Sequence, residues 1–208
     1  MKVFAGILLG ILIVILTAFL IAATGSFNIS ATANVGKLER RIAAFTLERS
    51  VARRAPKQKN PFPASPEVLK DGLAHYKENC LMCHGAPGVP ESEAGMGLNP
   101  AAPDLTLPSV QKMSDGELFW IVGNGIRMTG MPAFSLTHKP DEVWKIVAFV
   151  RHLPEISADE QTVLKAGCEE QEHHREDEQT SSAGTENAKP QKARAPHSHP
   201  PGTAPHKD

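Results

Sequence analysis

Twenty apolar positions in succession, Phe4 to Ala23, open the chain, interrupted by one hydroxyl, Thr17, and by no charge. Coiled as a helix, such a run reaches about 30 Å, the hydrocarbon thickness of a bilayer, and predicts a transmembrane anchor over residues 1–23. A cleaved signal peptide is the rival reading. Its apolar core would be about 7–15 residues, shorter than this run. The nearest small-x-small site, Ala31-Thr32-Ala33, also lies well past it. The pattern then changes. Val35, Leu38, Ile42 and Phe45 recur at steps of three and four, with Arg40, Arg41, Arg49 and Arg53 between them. This spacing predicts a basic amphipathic helix from Val35 to Ala52, either a solvated spacer or a helix resting on anionic headgroups or on a membrane partner. Asn60-Pro61-Phe62-Pro63 cannot continue it, so a boundary falls there, and residues 24–60 are read as helix and linker.

Three short helical patterns follow. Ser65-Pro66-Glu67 reads as an N-cap with proline at the first helical position, and Val68, Leu69, Gly72, Leu73 and Tyr76 form one apolar face ending at Cys80. Ser114-Asp115-Gly116-Glu117 matches a capping box ahead of Leu118, Phe119, Trp120 and Ile121, and Gly123 and Gly125 mark the stop. Pro140-Asp141-Glu142 opens a helix whose Val143, Trp144, Val147, Ala148 and Val150 face inward until Leu153-Pro154. No strand alternation appears, so the class is all-α. Three helices with long Gly- and Pro-containing loops carry too few apolar side chains for a good core of their own.

Charge divides the 208 residues into four regions. Residues 1–23 carry +1, residues 24–60 carry +6, and residues 61–156 and 157–208 carry −4 each. The total of −1 gives nucleic-acid binding no global electrostatic support. Residues 157–208 contain no Phe, Trp or Tyr and are rich in Glu, Gln, Ser, Ala, Pro and His. Such a tail is expected to be disordered apart from a possible short helical start, because it cannot bury enough apolar surface to offset ordering. Cys168 and the five tail histidines are assigned no site.

Within 61–156 stands Cys80-Leu81-Met82-Cys83-His84, the C-x-x-C-H attachment signature for c-type haem. Two thiols one helical turn apart can each add across a vinyl group of one porphyrin, and the next residue presents an imidazole to the iron. A zinc site would need Cys168 and His173 as further ligands, from a tail with no core to hold them. A thioredoxin-like dithiol would need a βαβ context that is missing here.

The stretch from about Ser65 to Glu155 resembles the class I mono-haem cytochromes c. The resemblance rests on Gly72 and Tyr76 ahead of the Cys80–Gly85 motif, on Gly130-Met131-Pro132-Ala133-Phe134, and on the closing helix from Trp144 to Leu153. It implies a small domain of three to five short helices around one covalent haem c held by Cys80 and Cys83, with His84 as an axial ligand. The family's sixth ligand is a methionine in a Gly-Met-Pro-like loop, which Met131 matches. Met128, Met96, His75, His138 and His152 are the alternatives. The flanking Gly130 and Pro132 stiffen the loop and favour Met131. The first and last helices of the family cross closely, which places Gly72 opposite Trp144 or Ala148. A proline carbonyl usually orients the proximal histidine, and Pro100 stands slightly ahead of Pro103 for that part. Arg127 could face a haem propionate or solvent.

These features predict a membrane-tethered one-electron carrier rather than an enzyme, with redox proteins and the membrane as partners and no small-molecule substrate. The haem domain is expected on the periplasmic side of the cytoplasmic membrane, since the family's thioethers are assembled outside the cytoplasm. The basic residues after the span argue for the opposite orientation, but Lys37 begins the cluster fourteen residues beyond it, near the limit of that rule. The 37-residue spacer is expected to give the tether its reach. The alternatives are a haem-bearing subunit of a respiratory oxidase or dehydrogenase complex, and a gas- or peroxide-binding haem protein with a labile sixth site.

Overall fold

The computed structural model describes residues 2–167. Residues 168–208, which hold Cys168 and the tail histidines, lie outside the described part. The described residues are helical, with no β-strand among them beyond an isolated bridge between Ala86 and Val89.

The apolar run forms α1 (Lys2–Ala23), whose mean hydropathy of 3.0 and 22 residues make it long and apolar enough to cross a membrane. Its Thr17 hydroxyl donates back to the Ile13 carbonyl at 2.8 Å, so the run's one polar side chain is satisfied within the helix. The basic helix α2 (Lys37–Arg54) starts two residues later than its periodicity suggests. It buries Val51 and half-buries Leu47, while Leu38, Ile42 and Phe45 stay exposed.

The remaining elements are α3 (Pro66–Asn79), α4 (Leu81–His84), α5 (Glu93–Met96), α6 (Pro108–Gln111), α7 (Asp115–Asn124) and α8 (Pro140–His152), with single 3₁₀ turns at Phe134–Leu136 and Leu153–Glu155. The starts follow the predicted caps. The Ser65 hydroxyl accepts from Val68 N–H, and Ser114 and Glu117 form the full capping box.

The core lies where α3, α7 and α8 meet. Tyr76, Leu81, Ile146, Val147 and Phe149 are fully buried there, each large apolar side chain contributing about 1.5–3 kcal/mol by leaving water. Gly72 permits the α3–α8 crossing, since a Cβ on it would strike the Lys145 carbonyl and the Phe149 Cβ. Its partners are therefore each one residue along α8 from the expected Trp144 or Ala148, a rotation of about 100°. Trp144 instead stacks on Phe119 of α7, ring centroids 4.1 Å apart.

Packing extends beyond residues 61–156 at both ends. Upstream, Gly116 is packed against the Pro56 carbonyl, and Asn60 donates its backbone N–H to Asp115 at 3.0 Å and its side-chain amide to the Trp144 carbonyl at 2.8 Å. Downstream, Ser157 and Glu160 form a capping box ahead of a helical segment, 158–167, whose Leu164 is fully buried in the same core. The spacer is not a 37-residue leash either. The Asn99 amide donates to the carbonyls of Ala31 (2.7 Å) and Ala33 (3.0 Å), and α2 packs on α7, which leaves only residues 24–30 between the apolar helix and the first of these attachments.

Candidate functional site

Helix α3 delivers the motif. Cys80 ends α3 and starts α4, and the N–H groups of Cys83 and His84 both donate to the Cys80 carbonyl, at 3.1 and 2.9 Å, so the C-x-x-C-H residues form one helical turn. Gly85 stops that turn at φ +58, a conformation that favours glycine. The buried Tyr76 hydroxyl donates to the Gly85 carbonyl at 2.6 Å, and Ser92 anchors the next loop by donating its N–H and hydroxyl to the Met82 carbonyl.

Cys80 is buried, Cys83 is half-buried, and neither thiol is in a disulfide. Burial, and next to it the neighbouring Cys83, push the Cys80 thiol up to about 12; burial also raises Cys83. Both are therefore thiols rather than thiolates at neutral pH, unlike the low-pKa cysteines of dithiol redox sites.

His84 has one ring nitrogen committed. Its Nδ1 lies 2.8 Å from the Pro103 carbonyl oxygen, which can only accept, so Nδ1 carries the proton and Nε2 keeps its lone pair for a metal. Burial lowers the His84 pKa and the Pro103 bond works against that shift. The orienting carbonyl is thus that of Pro103 and not Pro100. The reason lies in the neighbours: Asn99 is turned to the linker carbonyls, while the Asp104 carboxylate accepts from the Thr106 N–H and hydroxyl and fixes the turn after Pro103.

The methionine loop begins at Gly125, which caps α7 at φ +64. A Cβ there would meet the Met131 carbonyl oxygen at 2.6 Å, so the helix end presses directly on the loop. Met131 is held on both sides: its N–H donates to the Thr129 hydroxyl at 3.1 Å, and its carbonyl accepts from Ile126 N–H at 3.1 Å. The same Thr129 hydroxyl donates to the Ile126 carbonyl at 2.7 Å. Thr129 is a contributor that residue type alone did not single out. Met131 is half-buried and packs against the core, whereas Met128 is 91% exposed. Two glycines link this loop to the thiol turn. Gly130 abuts the Leu98 side chain, and Gly95, three residues earlier in chain than Leu98, abuts the Met82 carbonyl and Cys83 Cα.

The alternative ligands are engaged elsewhere. His75 and His138 meet edge to face, with centroids 5.2 Å apart, and His138 Nδ1 pairs with the Thr137 hydroxyl at 2.8 Å. His152 pairs with Glu160 at 3.1 Å. Met96 and Arg127 are exposed. Among the described residues no three His, Cys, Asp or Glu side chains are grouped to hold a metal ion, and the zinc partners Cys168 and His173 lie outside them.

The donor set fits a haem: two thiols, an imidazole with one nitrogen available and a thioether in a pinned loop. The segments between α4 and α8 also expose Met96, Leu107, Met128 and Leu136, apolar surface of the kind a porphyrin face covers.

Residues 67–150 match the family model described as cytochrome C oxidase, cbb3-type, subunit III. Over 86 residues the chain is 31% identical to the 1-butanol dehydrogenase (cytochrome c) of Thauera butanivorans, a match covering 41% of this chain and 11% of that protein's length. Together with the thiol turn and the pinned methionine, these likenesses identify residues 67–150 as a cytochrome c domain.

Proposed function

We propose that the chain is a membrane-tethered electron carrier on the outer face of the cytoplasmic membrane, with one haem attached through Cys80 and Cys83 and its iron held by His84 and Met131. Attachment would add each S–H across a vinyl group, forming a thioether and consuming no oxidant. Bound haem supplies a one-electron ferrous/ferric couple, and thioether ligation favours the ferrous form. The protein's part is to hold the ligands still. Pro103 orients His84, and Thr129 with Ile126 fixes the Met131 backbone, so the domain is built to keep both axial groups in place. That two-sided hold on Met131 carries the reading. A gas- or peroxide-binding protein needs a labile sixth position, and this loop works against one.

The anchor is α1, whose length and uncharged run from Phe4 to Ala23 suit a span. Assembly of thioethers outside the cytoplasm, implied by the resemblance, favours the amino terminus inside.

A second reading is favoured by the family description and by the relative's name: the chain as the haem-bearing subunit of an oxidase or dehydrogenase complex. The second reading calls for co-purification with the complex in mild detergent, and the first for a monodisperse carrier.

Haem staining of a denaturing gel of the membrane fraction should show a covalently haem-bearing band, and the oxidised protein should show the weak near-infrared absorption of sulfur on ferric iron. Met131→Ala should abolish that absorption, open the iron to added ligands and lower the potential. Staining confined to soluble extract would remove the tether, and an unchanged spectrum in Met131→Ala would remove the ligand assignment.

A further inference from the structure

Helix α2 has two apolar faces, and the domain uses only one. At about 100° per residue, Leu38, Ile42, Phe45 and Arg49 fall within about 60° of one another, while Leu47 and Val51 point to the opposite side. Val51 is buried and Leu47 half-buried, and α2 packs on α7. Leu38, Ile42 and Phe45 are 72%, 57% and 61% exposed. Arginines surround this second stripe: Arg41 and Arg53 flank it at about 50–70° on either side, and the Arg49 guanidinium sits 5.5 Å over the Phe45 ring. The acidic Glu39 and Glu48 lie farther round the helix.

We propose that this stripe lies on the anionic lipid surface into which α1 is inserted, with Leu38, Ile42 and Phe45 among the acyl chains and Arg41, Arg49 and Arg53 at the headgroup phosphates. The proposal rests on reading α1 as a membrane span. Three observations select lipid as the occupant. The first is length: with Ala31 and Ala33 held by Asn99, only residues 24–30 separate the apolar helix from the folded part, and seven residues extend at most about 25 Å, so the domain cannot stand far from the bilayer. The second is charge: residues 37–54 carry six basic and two acidic side chains, complementary to anionic headgroups. The third is shape. Three apolar side chains along about 10 Å of helix form a line, far short of the roughly 800 Å² that each partner contributes to a stable protein interface. A lipid interface accepts a line, because acyl chains close around it. With α2 docked, the haem domain would be held against the membrane in one orientation instead of swinging on a leash.

The test uses the full-length haem-loaded protein on vesicles of phosphatidylcholine alone and of phosphatidylcholine with phosphatidylglycerol, with flotation and hydrogen exchange of residues 38–49 measured together. The expected result is flotation on both vesicles through α1, with amides in 38–49 exchanging about tenfold more slowly on the anionic vesicles. That protection should vanish in Arg41→Gln/Arg49→Gln/Arg53→Gln and in Ile42→Glu/Phe45→Glu, with an unchanged haem spectrum showing that the domain stays folded. Flotation on both vesicles with equal exchange on the two would overturn the docking and leave the α1 span standing. Protection that ignores lipid charge but appears on adding a membrane protein would overturn it in favour of a protein partner. No flotation on either vesicle would overturn both the span and the docking.

Discussion

The His84 Nδ1–H donates at 2.8 Å to the carbonyl of Pro103, nineteen positions further along the chain, and so one backbone oxygen sets which imidazole nitrogen keeps a lone pair for a metal. Two residues past Pro103 the loop is tied to α8 by Gln111, whose side-chain amide donates to the carbonyls of Leu105 (2.7 Å) and Val150 (2.9 Å). Gln111→Leu removes the donors to a half-buried acceptor, Leu105, and to a buried one, Val150. It should cost about 1–3 kcal/mol, read by urea unfolding, and should shift the reduction potential by loosening the His84 partner. A potential equal to that of the parent protein would show that Pro103 needs no support from α8.

Thr129 is expected to act on the iron through Met131. Thr129→Val removes both the acceptor for Met131 N–H and the donor to Ile126, a loss of about 1 kcal/mol per bond. Added imidazole should then displace the thioether about five- to tenfold more readily, followed by loss of the near-infrared band, while Thr129→Ser should behave as the parent. Equal imidazole affinity in Thr129→Val and the parent would count against the positioning role.

How far was this site legible beforehand? The caps at Ser65 and Ser114 and the thiol turn at Cys80–His84 are local devices, written in residues one to four apart, and they stand where the pattern places them. Gly72 was legible as a close-approach residue, but its partners Lys145 and Phe149 depend on the rotational setting of α8, which no local pattern encodes. Pro103 over Pro100 turns on where Asn99 points, a long-range contact with the linker. Ser157-x-x-Glu160 is a different case. The capping-box signal was present, and the polar composition of the segment beyond it concealed that Leu164 would be buried.

Acid should weaken the domain partly through Asp115. Burial acts to raise its carboxyl, but the Asn60 N–H and the Arg151 guanidinium outweigh burial and hold it below the ordinary value of 3.8. A carboxyl depressed in the folded state contributes stability that is fully present above its unfolded value and is lost as pH falls through the folded one. The Asp115→Asn variant should therefore be less stable than the parent near neutral pH, with the gap closing below about pH 4, in urea unfolding at a series of pH values. A gap that stays constant down to about pH 3 would remove Asp115 from the acid response.

The Asn99 amide bridges the Ala31 and Ala33 carbonyls and thereby decides how long the free segment after α1 is. Asn99→Ala should leave the domain's stability within about 1 kcal/mol, since one bond is exposed and the other only partly buried, yet it should release residues 31–36 and lengthen the free segment from seven residues to thirteen. The maximum reach would rise from about 25 Å to about 45 Å. For a flexible chain inserted through α1, as proposed, this would dilute the domain near the membrane by about two- to threefold. Proteinase K cleavage within residues 31–36 should accelerate several-fold in the variant under conditions that leave the haem domain intact. Cleavage at the parent rate would mean that residues 31–36 are held by something other than the Asn99 amide.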